Sequence, residues 1–174
     1  MTGKTFLNRV ANGQIDAVAL LLDLLKQAGA DYCVIGGLAV NAYAEPVVSL
    51  DLDLVVVTDK VQALCEAAAA AHTKIERFEH RVNLSMPGSD LRVQLQIDPR
   101  YQEFLSRAVR RDVLGYAMTV AAIDDVLRGK VWAYRDEQRR KSKRQKDLAD
   151  ILRLVEAHPE LKDKLPTEIK SQVE

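Results

Sequence analysis

A chain of 174 residues, 48% of them hydrophobic, is long enough to bury one proper core and too short for two comfortable ones. Lys plus Arg and Asp plus Glu balance at 25 each, which excludes a uniformly basic or acidic surface, yet residues 128–147 hold nine Lys or Arg against three acids and leave the rest acidic by the same margin. No apolar run approaches membrane-spanning length, and Cys33 and Cys65 form no paired pattern behind no secretory leader, so reduced thiols and a cytoplasmic address are expected.

A short helical turn is expected over 5–10. From 15 to 28 the apolar residues Ile15, Val18, Ala19, Leu21, Leu22 and Leu25 make a one-faced helix that Gly29 ends. The stretch 32–57 is the most informative. Its apolar run 32–35 reads as a strand and stops at Gly36-Gly37. Leu38, Ala39, Val40, Ala42 and Tyr43 follow at helical spacing until Pro46. Val48, Leu50, Leu52 and Leu54 then alternate with Ser49, Asp51 and Asp53, the pattern of a strand running to Val57. Asp51 and Asp53 therefore project from one face, where two carboxylates repel each other unless water or a cation sits between them. The diglycine lies at a helix N-terminus, where free N–H groups and the helix dipole suit a phosphate. A phosphate seat beside a magnesium-type carboxylate pair implies nucleotide chemistry.

Gly36-Gly37, a short helix and Asp51-Leu52-Asp53 together resemble the nucleotidyltransferase superfamily, the minimal fold related to polymerase β. Within it the chain looks like the small bacterial AbiEii-type toxins, because Lys130, Ala133, Arg140, Lys146, Asp147 and Asp150 match their later motif in order. Two departures stand out. The basic residue and Thr that usually precede the first Asp are replaced by Val47 or Val48 and by Ser49, which keeps the hydroxyl and loses the charge. A third carboxylate is also usual on a later strand.

That strand is predicted over 91–97, after a helix over 59–71 and strands over 73–78 and 82–86, with Pro87-Gly88-Ser89-Asp90 as a turn. Its polar face carries Arg92, Gln94, Gln96 and Asp98. An amide cannot serve as a base, and Asp98 sits at the strand end before Pro99, so a missing or displaced base is expected. Residues 101–108 read as helix, 110–120 as one or two short strands around Gly115, and 121–135 as helix. Lys130 on that helix reads equally as a snorkelling surface Lys or a site residue. A last helix over 144–156 is expected to bury Leu148, Ile151, Leu152 and Val155 and to hold Lys146, Asp147 and Asp150 partly on its other side, ahead of a tail from Ala157 read as a terminal helix and a frayed end. Trp132 reads as core, and His72, His80 and His158 have no metal-ligand spacing.

The fold class expected is α/β, a mixed-sheet nucleotidyltransferase fold with flanking helices: one domain over 1–174, with its core at 31–120 and a C-terminal helical segment at 121–174. The resemblance implies a nucleoside triphosphate bound through Gly36, Gly37, Ser49, Lys130, Arg140, Lys146 and Asp147, Mg²⁺ on Asp51 and Asp53 as metal ligands and catalytic residues, and transfer to a hydroxyl. The acceptor it implies is a tRNA or other RNA, or a protein, with a cognate antitoxin or toxin as a partner chain and no membrane. The alternative, carried by Gln94 and Gln96, is a nucleotide-binding or interaction protein that keeps the fold without the catalysis.

Overall fold

The computed structural model describes residues 1–174. In chain order the elements are α1 (Gly3–Val10), α2 (Ala17–Gln27), β1 (Tyr32–Ile35), α3 (Gly36–Val40), β2 (Asp51–Val56), α4 (Val61–Ala70), β3 (Lys74–Arg77), β4 (Arg81–Ser85) and β5 (Arg92–Gln96). They continue with α5 (Phe104–Arg107), β6 (Val109–Val113), β7 (Tyr116–Val120), α6 (Ile123–Arg135), α7 (Lys141–Ala157) and α8 (Thr167–Lys170). Short 3₁₀ turns at Thr58–Lys60, Pro99–Tyr101 and Pro159–Lys164 link them.

The seven strands form one sheet in the order β3-β4-β5-β2-β1-β7-β6. β2 runs antiparallel to β1 but parallel to β5, and β1 is parallel to β7, so the sheet is mixed, as the alternating pattern and the interspersed helices predict. Alternation gives the middle of the sheet two unlike faces. Leu52, Leu54, Val93 and Leu95 are buried to 1% exposure or less on one side, within a core that also takes Leu21 and Leu25 of α2 and Leu64 and Cys65 of α4. On the other side the polar residues Asp51, Asp53, Arg92, Gln94 and Gln96 face the paired helices α6 and α7, and α3 packs against both of these.

Three local expectations shift. β2 begins at Asp51, not near Val48, because Asn41 clamps the preceding loop: its side-chain amide accepts from Val47 N–H at 2.9 Å and donates to Val47 C=O at 2.8 Å. That leaves Val47 and Val48 exposed. α7 begins a turn earlier than expected, at Lys141. After Ala157 the terminal helix expected from the sequence forms as α8, but the tail ahead of it is not frayed, since Leu161, Leu165 and Ile169 are buried against the body of the protein and His158 hydrogen-bonds Tyr43 O through Nε2 at 2.7 Å. No helix is long and apolar enough to cross a membrane.

Candidate active site

β1 and β2 are neighbours, and their register sets Ile35 opposite Asp53, so the chain leaving β1 turns directly beside that carboxylate. Gly36 makes the turn at φ +72°, and a Cβ there would lie 2.5 Å from Asp53 Oδ2. Glycine is required on both counts. A Cβ on Gly37 would lie 3.5 Å from Asp150 Oδ2. The diglycine is thus packed against acidic side chains. Gly36 lines the cavity of about 110 Å³ beside Asp53, while the space beside Gly37 belongs to Asp150. Ser49 ends the loop before β2, and its Oγ accepts from Asp51 N–H at 3.1 Å, which fixes the strand start.

The two carboxylates differ sharply. Asp51 meets Arg92 Nε at 2.6 Å and Lys143 Nζ at 3.4 Å. Burial opposes its ionisation, but these cations outweigh it and hold the carboxyl below the usual range. No hydrogen bond or ion pair reaches Asp53. Burial pushes its carboxyl up to about 6, Lys130 opposing and the neighbouring Asp51 adding to the rise. A half-buried carboxylate left without a partner is costly, and a cation bound beside it would relieve that cost. No group of three or more His, Cys, Asp or Glu side chains is arranged to hold a metal ion, so the protein offers a divalent ion two carboxylates and leaves its remaining positions to water or ligand oxygens.

α6 and α7 close the site from above. Lys130 is 8% exposed, and its Nζ bonds Asp147 at 3.0 Å and Asp150 at 2.8 Å. Burial alone would lower its basicity, but these carboxylates outweigh burial and raise it. Lys130 is therefore an internal ion-pair centre, not a snorkelling surface side chain. Asp147 also takes Arg139 Nε at 2.7 Å, and Asp150 takes Arg153 Nη1 at 2.7 Å. Arg153 in turn donates to Asn41 Oδ1 and to Glu45 O, tying α7 to the loop before β2.

The placement of Asp147 and Asp150 on the outer side of the last helix is therefore corrected: both turn inward, drawn by the buried ammonium of α6. Lys146 stays exposed on the far side, and Arg140 is exposed at the rim. The basic groups that reach the carboxylate strand are Arg139 and Lys143, which motif matching did not single out, together with Arg81 at the start of β4. Asp98 lies away from the pair, capping the Pro99–Tyr101 turn and bonding Arg100 at 3.2 Å. The residue opposite Asp53 on β5 is Gln94.

Three connected spaces open over this surface. One of about 380 Å³ is lined only by polar residues, including Asp51, Asp53, Arg81, Arg139 and Lys143. The small cavity behind it reaches Gly36, Lys130 and Asp147. A cleft of about 620 Å³ extends past Gln94 and Gln96 to Tyr101 and Trp132. Trp132 does pack, stacked on Phe104 at 5.7 Å between centroids, but Arg100 lies 5.1 Å over its ring and it forms part of the cleft wall.

The chain matches no protein-family model and no curated protein. Among solved structures, that of ANT(2'')-Ia in complex with adenylyl-2''-tobramycin aligns over 90% of this chain and 97% of its own, with a TM-score of 0.66 and 12% identity. The lincosamide antibiotic adenylyltransferase LnuA, lincomycin-bound, aligns over 82% and 99%, with a TM-score of 0.57 and 12% identity. An antigenic nucleotidyltransferase-like protein from Paracoccidioides brasiliensis aligns over 95% and 84%, with a TM-score of 0.54 and 20% identity. At such identities the likeness is one of fold, and the mixed seven-stranded sheet with its C-terminal helices is the nucleotidyltransferase fold.

Proposed function

We propose that the protein, acting as one domain over 1–174, transfers a nucleotidyl group from a nucleoside triphosphate to an acceptor nucleophile, with Mg²⁺ held by Asp51 and Asp53. The observation that carries this reading is Asp53, a half-buried carboxylate with no partner, two residues from Asp51 on the same face of β2 and facing a wholly polar space edged by Arg139 and Lys143. The donor set fits the ion, since Mg²⁺ is commonly bound through one or two carboxylates plus substrate phosphates. Bound there, it supplies positive charge to the phosphate oxygens on which negative charge builds during displacement.

The chain's own groups do the rest. Gly36 lets the backbone pass against Asp53 without a clash. Lys130, Asp147 and Asp150 form a cross-linked base that holds α6 and α7 at a set height over the sheet. Lys143 and Arg139 reach the triphosphate space, and Lys143 exchanges its contact with Asp51 for one with a phosphate oxygen when ligand arrives. Arg140 contributes at the rim, and Lys146 adds only long-range field.

The AbiEii-type assignment, with a tRNA or protein hydroxyl as acceptor and a toxin–antitoxin partnership, rests on the order of the later motif; Lys130, Asp147 and Asp150 support it by meeting in space. Gln94 opposite Asp53 favours the second reading, a nucleotide-binding protein without turnover. One experiment separates the two: incubation with each nucleoside triphosphate labelled at the α-phosphate, Mg²⁺, and total cellular small molecules, RNA or protein. Label in a macromolecule or a new small molecule is expected, and Asp51→Asn with Asp53→Asn should abolish it. Absence of transfer in every fraction, with nucleotide still bound, would leave the second reading.

A further inference from the structure

The space over Asp53 contains no group free to act as a base. Asp147 is held by Lys130 and Arg139, and Asp98 is occupied by Arg100. Asp136 accepts the N–H of Gln138 through Oδ1 alone, but it lines only the larger cleft and neither of the two spaces that Asp53 lines. A hydroxyl nucleophile has to lose a proton, and a positioned base contributes about a hundred- to ten-thousandfold to such a step. Here the place facing Asp53 holds Gln94, whose amide has no proton affinity to use at neutral pH.

Hydrogen-bond donors are what the site offers instead. Gln94 lines all three spaces and its side chain makes no hydrogen bond. Gln96, two residues on and on the same face, accepts from Asp98 N–H through Oε1, which leaves its NH₂ group unpaired. Arg81 lies opposite Gln96 in the β4–β5 ladder and also lines all three spaces. Its guanidinium rests 4.5 Å over the Phe78 ring and has no carboxylate partner. The free Gln94 amide, the unpaired NH₂ of Gln96 and the free Arg81 guanidinium on one patch of sheet make a cradle for an oxyanion.

We propose that the acceptor nucleophile is the terminal oxygen of a phosphate monoester and not a hydroxyl. The inference rests on the nucleotidyl-transfer reading above, names its acceptor, and replaces the hydroxyl that the AbiEii-type assignment implies. A phosphate monoester has a second pKa of about 6, so at neutral pH most of it already carries the bare oxygen anion that a hydroxyl would need a base to produce. Arg81, Gln94 and Gln96 hold its non-attacking oxygens. The remaining oxygen attacks the α-phosphorus of the nucleoside triphosphate, and a new P–O–P linkage forms. The bond from the α-phosphorus to the oxygen bridging to the β-phosphate breaks, and that oxygen leaves with the electron pair as pyrophosphate. No proton is removed at any point, which is why the absence of a third carboxylate does not disable the site.

The test uses the full chain with Mg²⁺, each α-labelled nucleoside triphosphate, and the same cellular fractions with or without prior phosphatase treatment, the phosphatase being removed before assay. Phenyl phosphate and benzyl alcohol serve as defined small probes. Phosphatase treatment is expected to cut labelling at least tenfold. Phenyl phosphate should be labelled and benzyl alcohol not, and the product should resist phosphatase but release labelled nucleoside monophosphate on pyrophosphatase digestion. Labelling that survives phosphatase treatment, in a product resistant to pyrophosphatase, would leave nucleotidyl transfer standing and overturn the phosphate acceptor. No label in any fraction would overturn the transfer reading itself, and this inference with it. Gln94→Asp gives an independent readout, with circular dichroism and urea unfolding as its folding control: placing a negative charge against an incoming dianion should lower transfer to phosphate acceptors tenfold or more. A rise in that transfer would refute the cradle.

Discussion

Asp53→Asn is expected to make the ligand-free protein more stable at neutral pH while removing its metal site. The Asp53 carboxyl titrates near 6 in the folded chain, against an ordinary value of 3.8. The folded state therefore binds more protons than the unfolded state between about pH 4 and 6, and stability falls as pH rises through that window. Above it the deficit is constant. A rise of roughly two units corresponds to at most about 3 kcal/mol, each unit being about 1.4 kcal/mol. Asn is nearly isosteric and neutral, and Asp53 accepts no hydrogen bond that the substitution would break. Urea or thermal unfolding at pH 4 should find the two proteins close together. By pH 8 the variant should lead by up to about 3 kcal/mol, or on the order of 6–12 °C in melting temperature for a chain of this size. Mg²⁺ with nucleotide should raise the melting temperature of the parent and leave the variant unmoved. A variant equally or less stable than the parent at every pH would refute the claim that Asp53 stands unpaired.

The ion-pair base of the helices makes a second prediction. Lys130→Met would leave Asp147 and Asp150 with one Arg each, and breaking a buried pair in this way should cost about 3 kcal/mol, measured by urea unfolding at pH 7. A loss under about 1 kcal/mol would show that the two arginines suffice. Gly36→Ala combines a positive φ with a Cβ set against Asp53 Oδ2, so it should lower stability by more than about 1 kcal/mol and weaken divalent binding by calorimetry; unchanged binding would mean that the close approach is not needed. Lys143→Ala should weaken nucleotide affinity and lessen its salt dependence, while Lys146→Ala should do little, and equal effects would mean that only net charge matters.

Local pattern carried the centre of this protein. Tyr32 to Ile35, the diglycine turn and the alternation at Asp51 and Asp53 are dictated by periodicity and by residues with few conformational options, and they formed as the sequence predicts except that β2 starts only at Asp51. The same alternation identified Gln94 and Gln96 as the polar face of β5. Which of the two faces Asp53 is a matter of register between strands far apart in sequence, and only the β2–β5 pairing decided it for Gln94.

The basic residues show the limit more plainly. With α7 beginning at Lys141, its inward face runs through Lys143, Asp147, Asp150 and Leu154, spaced by three and four residues, and Lys146 falls outside it. A start three residues later was expected from the sequence, with a stripe of Leu148, Ile151, Leu152 and Val155; the structure buries Ile151, Leu154 and Val155 and only half-buries Leu148 and Leu152, a rotation of the face that brings the two aspartates inward. They turn inward because Lys130, on a different helix, is buried and needs them. Arg81 is one arginine at the head of a short strand, without any motif, and it joins the site because β4 pairs with β5. Periodicity within one element is written in the sequence; the partner of a buried charge, and the strand that lies beside another, are long-range choices made by the packing as a whole.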